Sequence, residues 1–158
     1  MPAPSETSHD VRVASADDRH DIGRLLHDFN IEYDDITPGP TALAERIQDL
    51  MARGQTVVLL AGPGPDALAV LRFQPSLWTL ADECYLAELY VSPAERGHGL
   101  GEAVLSVAID HARERGADYM HLGTSEDDVA ARALYEKLGF RRTEGDGGPV
   151  TYAYERDL

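Results

Sequence analysis

The chain has 158 residues, enough for one domain with a real core and too few for several. Its 43% hydrophobic and 27% charged content is that of a globular protein, and no apolar run nears the roughly 20 residues of a bilayer span. With 28 acidic against 14 basic residues the formal net charge is -14, a field that repels nucleic acid and anionic lipid and favours cationic partners. Neither a nucleic-acid nor a membrane partner is expected, and a polyanionic ligand needs a locally prepared anion site.

Taken in order, residues 1–10 carry neither a basic n-region nor an apolar h-region and read as a short disordered tail rather than a secretory leader. Val11 to Ala14 predicts a strand. Ser15, with Asp18 three residues on, resembles a capping box that starts a helix, and Ile22, Leu25, Leu26 and Phe29 then recur at helical spacing. The Pro38-Gly39-Pro40 break ends that unit. A second helix presents Leu43, Ile47, Leu50 and Met51 on one face and stops at Gly54. Gln55 to Ala61 is a β-branched run that reads as a strand. The turn chemistry of Gly62 to Asp66 then leads into a return strand, Ala67 to Phe73.

The loop Pro75 to Asp82 contains Trp78, and Cys84 to Val91 predicts another strand, stopped by Ser92-Pro93. Cys84 is the one cysteine: it excludes an internal disulfide, fits a reducing cytoplasm, and reads as a buried, inert thiol. Gly99 to Arg115 predicts a long helix with Leu100, Val104, Val107 and Ala108 inward, ended by Gly116. Asp118 to Gly123 is a strand. Ser125 and Asp128 begin a further helix, with Val129, Ala130, Ala133, Leu134 and Leu138 inward. Phe140 to Thr143 and Val150 to Tyr154 are two last strands around Gly145-Asp146-Gly147-Gly148. The order β-α-α-β-β-β-α-β-α-β-β describes one α/β domain over 11–158, a mixed sheet whose later crossovers demand some parallel pairing.

The most specific chemistry lies between the strand ending at Val91 and the helix starting near Gly99. There Arg96-Gly97-His98-Gly99-Leu100-Gly101 bridges strand to helix. A helix start offers unpaired N–H groups and the positive end of the helix dipole, glycines let a phosphate approach the backbone, and Arg96 adds a fixed positive charge. The loop suits a pyrophosphate. A Walker A loop is excluded because no Lys follows the glycines, and a dinucleotide fingerprint because position 102 is Glu. His98, His111 and His121 lack partner spacing, so no metal site is expected.

Arg96-x-x-Gly99-x-Gly101 resembles the Q/R-x-x-G-x-G/A motif of the GNAT acetyltransferases. Leu89 to Pro93 is similar to that family's fourth strand and its exit, and Ala131 to Phe140 is similar to its A-x-x-LY-x-x-x-GF ending. The resemblance covers residues 11 to 155 and implies the GNAT fold, acetyl-CoA as cosubstrate, and acetyl transfer to a primary amine.

It further implies that the backbone of Leu89, Tyr90 and Val91 pairs with the pantetheine arm, while Arg96, Gly97, His98, Gly99, Leu100, Gly101 and Glu102 hold the pyrophosphate. It places Tyr135 as proton donor to the departing thiolate, and Glu88 as either the base or a group that orients the amine. Asp28, Glu32, Asp34 and Asp35 form an acidic stretch with Phe29 and Tyr33 and without Lys or Arg. The family borders its acceptor site with this loop, so Glu32, Tyr33, Asp34 and Asp35 suit a small cationic amine such as a polyamine, amino sugar or aminoglycoside. A solvated acidic loop is the alternative.

Trp78 either walls the acceptor site or sits in the core, and Glu83 reads as solvated. Where many family members carry Asn, this chain has Asp128, which cannot donate and so is expected to cap its helix. No Cys-His or Ser-His arrangement suggests a covalent acetyl-enzyme, so direct transfer in a ternary complex is expected. The rival readings are an acetyltransferase for protein N-termini or lysines and a non-catalytic acetyl-CoA sensor. A homodimer is a common state in such families.

Overall fold

The computed structural model describes residues 9–158; of the tail expected over 1–10, positions 1–8 lie outside the described residues. Five strands form one sheet in the order β1-β2-β3-β4-β5: Val11–Val13, Thr56–Ala61, Ala67–Pro75, Asp82–Val91 and Ala117–His121. The first four are joined antiparallel. Asp82 N–H at the start of β4 donates to the Gly116 carbonyl just before β5 (3.4 Å), so the two strands begin level and run in the same direction, as their helical crossover requires. Four α-helices accompany the sheet: α1 (Arg19–Glu32), α2 (Pro40–Ala52), α3 (Leu100–Glu114) and α4 (Val129–Lys137).

Pleat alternation gives the two sheet faces different partners. Val58, Leu60, Leu68, Val70 and Tyr90 meet Ile22 and Leu25 of α1 and Ile47 of α2 in one buried cluster. Gly23 lets the two helices cross closely, since a methyl there would collide with the Pro40 carbonyl. Leu59 and Leu71 occupy alternate positions and are fully buried, and α3, which packs on β2, β3 and β4, buries Leu100, Val104, Leu105, Ala108 and Ala112. Val107, expected inward, is 36% exposed, and Leu105 takes the core position instead. The buried stripe of Leu100, Val104, Leu105, Ala108 and Ala112 centres on Ala108, about 100° of helical rotation from Val107 but only about 60° from Leu105. Cys84 is fully buried, and burial raises its thiol pKa to about 11.

The chain divides into two compact units, one running to Met120 and the other covering His121–Leu158. Within the second, Asp128 caps α4 by accepting from Ala131 N–H at 3.4 Å, as expected. Its helix buries no residue, and Val129, expected inward, is 69% exposed. The two expected last strands are reduced to a single bridge, Thr143 to Val150, around the glycine turn. Beside it the Glu144 N–H donates to the Pro149 carbonyl and the Thr151 N–H to the Arg142 carbonyl, and the ladder beyond Thr151 does not form among the described residues.

The start of the first helix depends on one carboxylate. Asp18 accepts both Nη atoms of Arg12 at 2.8 Å and the Ser15 N–H at 2.8 Å, and the Arg12 bonds, followed by the backbone bond, hold its pKa at about 2. A depressed carboxyl stabilises the fold above its unfolded pKa, near 3.9, and that contribution is lost as the pH falls towards the folded value. Asp18→Asn is expected to cost about 1 kcal/mol at pH 7. Denaturant melts of both proteins should show the difference shrinking as the pH falls from about 4 to about 2.

Candidate functional site

The site begins with an irregularity in β4. Val70 of β3 faces Glu88, but Leu71 faces Leu86, so Ala87 is an extra residue without a partner across the strand pair. Strict alternation would set Glu88 opposite Ala69, on the face with Leu59 and Leu71. The bulge turns Glu88 and Tyr90 onto the face of Val70 and Leu68, beneath α1 and α2. Glu88 is half-buried there, no hydrogen bond or ion pair reaches it among the described residues, and burial raises its carboxyl pKa.

Tyr90 is 4% exposed and lies 5.0 Å, centroid to centroid, from Phe29 of α1, which in turn meets Tyr33 edge-on at 5.4 Å. Burial, reinforced by Glu32, raises the Tyr90 pKa. Beyond Val91 the chain makes one 3₁₀ turn at Pro93–Glu95 and reaches the glycine loop. Gly97 and Gly99 have φ of +83° and +80°, conformations that side chains resist, and Gly99, at the N-cap of α3, has no side chain with which to cap the helix. The uncapped helix start is a backbone anion cradle of the kind a pyrophosphate fits.

Arg96 behaves differently from expectation. Its guanidinium was expected to serve the anion; instead Nη1 and Nη2 bind the two Glu32 oxygens at 2.8 and 2.6 Å, and Nε donates to the Val91 carbonyl at 3.0 Å. The bond from Arg96 lowers the Glu32 pKa, and Glu32 in turn raises that of Arg96. Glu32, expected to face an amine, therefore has its charge committed within the protein. Among the strand residues expected to meet the pantetheine arm, Val91 already has its carbonyl engaged.

Tyr33, Asp34 and Asp35 lie exposed just past α1, with Asp34 at φ +58° and Asp35 N–H bonded to the Asn30 carbonyl at 2.9 Å. Trp78 is not a core residue: it is 91% exposed, in the loop before β4. It also lies at the far end of that strand from Tyr90 and Arg96, and ten residues of strand span about 30 Å. The first unit therefore does not bring it to the cluster. Leu100, Gly101 and Glu102 form the first turn of α3, and His98 Nδ1 donates to the Glu95 carbonyl at 3.4 Å. Tyr135 sits on α4 in the second unit, its ring 5.9 Å from that of Phe140.

Two contributors escaped the sequence reading. Phe29 joins Tyr90 to Tyr33 as a packing bridge; its helical spacing and its place in the acidic stretch marked it, but neither pointed to Tyr90. His9, assigned to the tail, donates from Nε2 to the His98 carbonyl at 2.7 Å, beside Gly99. No local pattern signals a contact across 89 residues.

With this geometry in place, the chain matches the model of the acetyltransferase (GNAT) family over residues 22–140. A solved structure from Arthrobacter sp. FB24, described as a candidate acetyltransferase, is 39% identical, covers 99% of this chain and 100% of its own, and superposes with a TM-score of 0.88. An acetyltransferase structure from Agrobacterium tumefaciens str. C58, described in the same guarded terms, shares the fold at 22% identity over 94% of this chain and 99% of that one, with a TM-score of 0.76. A mycothiol acetyltransferase of Catenulispora acidiphila is 41% identical over 64 residues, 39% of this chain and 20% of that protein. The chain thus spans about a fifth of the length of that relative.

The loop conformation is testable without any ligand. Gly97→Ala and Gly99→Ala are each expected to lower stability by about 1–2 kcal/mol, because both hold left-handed φ values. Gly97→Asn should lose less, since Asn tolerates that region. Equal losses for Ala and Asn at 97, in thermal melts, would show that backbone conformation is not the cause.

Proposed function

Because the chain belongs to the acetyltransferase (GNAT) family, we propose that it moves an acetyl group from acetyl-CoA, the family's cosubstrate, to a small cationic primary amine by direct attack in a ternary complex. One observation carries the reading. The strand that leads into the glycine loop presents, three residues before its end, a half-buried carboxyl with no partner among the described residues. A structural carboxylate in such a place is usually paired; an unpaired one whose pKa burial raises is a stronger base than an ordinary carboxylate and suits proton transfer.

In the proposed reaction the acceptor ammonium gives a proton to Glu88, directly or through water. The free amine nitrogen then bonds to the thioester carbonyl carbon, the carbon–sulfur bond breaks and its electron pair leaves with sulfur, and the nitrogen gives its remaining extra proton to solvent as the amide forms. The Tyr135 hydroxyl supplies the proton that completes the thiol, and solvent restores both groups. Backbone N–H groups over 97–102 hold the pyrophosphate, and the end of β4 aligns the pantetheine arm. Tyr33, Asp34 and Asp35 line the acceptor side, where the exposed carboxylates of Asp34 and Asp35 attract a cation.

Glu88→Gln is expected to lower kcat by about 10²–10⁴, with the KM for acetyl-CoA little changed. The base must be ionised, so wild-type kcat should rise with pH through a value above the ordinary carboxylate range, and the Gln variant should lose that limb. The same raised pKa means that Glu88's favourable share of stability is present at low pH and is lost as the pH rises through the folded value. The Gln variant should therefore melt higher than wild type at pH 8. A change confined to the amine KM would assign Glu88 to orienting the substrate.

The acceptor class is read from CoA release with a thiol reagent across polyamines, amino sugars, aminoglycosides, amino acids, a peptide and the acceptor of mycothiol acetyltransferases. Cys84 is buried with its thiol pKa raised to about 11, so the folded protein adds no background. Release with a cationic amine supports the proposal. Release with the peptide alone assigns the protein-directed activity instead, and acetyl-CoA binding without release across the panel favours the sensor.

A further inference from the structure

Glu32 is the last residue of α1, and that helix has no basic residue in its final turn. A carboxylate at a helix C-terminus is unfavourable next to the negative end of the dipole. The compensating cation comes from 64 residues away: Arg96, at the start of the glycine loop, grips both Glu32 oxygens. The same guanidinium holds the Val91 carbonyl at the end of β4 and lies 5.7 Å from the centre of the Tyr90 ring. Directly after Glu32 come Tyr33 and the Asp34-Asp35 turn.

One side chain thus touches the end of the strand proposed for the pantetheine arm, begins the loop proposed for the pyrophosphate, and fixes the last residue before the acidic turn. Bidentate pairing sets orientation as well as distance. It adds little to stability, because the Arg96 and Glu32 side chains remain 43% and 29% exposed, and such pairs contribute about 0–1 kcal/mol.

We propose that Arg96 and Glu32 are positioning residues that transmit acetyl-CoA occupancy of the glycine loop to the acidic turn that receives the acceptor. The proposal rests on the acetyl-CoA reading above. Occupancy fixes the loop, the loop fixes Arg96, and through the paired carboxylate Arg96 holds the end of α1 and residues 33–35 in their receiving arrangement. Such coupling between sites typically amounts to a factor of about 5–150.

The test is hydrogen exchange of the full chain with and without acetyl-CoA. It compares wild type, Glu32→Gln, Arg96→Gln and the double exchange Glu32→Arg with Arg96→Glu. In wild type, acetyl-CoA should slow exchange over 97–103 and, by about fivefold, over 33–37. In both Gln variants protection over 97–103 should persist while that over 33–37 is lost, and the charge exchange should restore part of it. A purely structural role would alter 33–37 equally with and without acetyl-CoA. Protection of 97–103 alone in wild type, or undiminished protection of 33–37 in Glu32→Gln, overturns the proposal and leaves the cofactor reading intact. Absence of protection over 97–103 in wild type overturns the cofactor reading, and the proposal with it.

Discussion

The unpartnered residue in β4 decides which side of the sheet can carry chemistry. A regular strand would send Glu88 to the face that holds Leu59 and Leu71, which is dry and fully apolar. A carboxyl there would have to be neutral or paired. The one-residue slip at Ala87 instead puts Glu88 and Tyr90 on the face that meets α1 and α2, where Glu88 is half-buried. Partial burial is the useful condition. It raises the carboxyl pKa while leaving Glu88 partly exposed, as its proposed part in proton transfer needs.

A chain of net charge -14 that takes a polyanionic cosubstrate faces an electrostatic conflict. Side-chain cations near the loop would be one remedy, and Arg96 is placed for it, yet its charge is spent on Glu32. What remains is the backbone: left-handed glycines at 97 and 99 and an uncapped helix start. Backbone dipoles are fixed by the fold and need no counter-charge, so the site can attract phosphate locally without reducing the acidity of the surrounding surface. The acidity stays available for a cationic acceptor.

Much of this was legible in the sequence, for physical reasons. The glycine loop was readable because anion binding at a helix start demands small residues at fixed offsets, and the helices because their apolar spacing is strict at Ile22, Leu25, Val104 and Ala108. Asp128 was readable as a cap from its chemistry alone. What escaped depends on register or on distance. The bulge leaves no local mark, since Ala87 is an ordinary strand residue; only pairing with β3 reveals it. The Arg96–Glu32 pair and the His9 contact join segments 64 and 89 residues apart. Trp78 was ambiguous because a loop aromatic can fold either way, and the length of β4 then set it apart from the cluster. The strands expected beyond Phe140 rested on short segments, and their pairing stops after one bridge because strand extent depends on register, which no local pattern fixes.

The acidic turn also narrows the proposed acceptor by a charge argument. An amine that attacks a carbonyl must be neutral at that moment, so the negative charge of the turn cannot favour the reacting nitrogen without hindering its deprotonation. Its attraction is productive only for a second positive charge on the same molecule. Of the four carboxylates in the stretch, Glu32 is held by Arg96 and Asp28 lies 4.0 Å from Arg24, which leaves Asp34 and Asp35 exposed and without an ion pair among the described residues. Charges in water act over roughly a Debye length, about 8 Å at physiological salt. The proposed acceptor therefore carries a second positive charge that can come within about that distance of Asp34 or Asp35, as polyamines and aminoglycosides do and a simple monoamine does not.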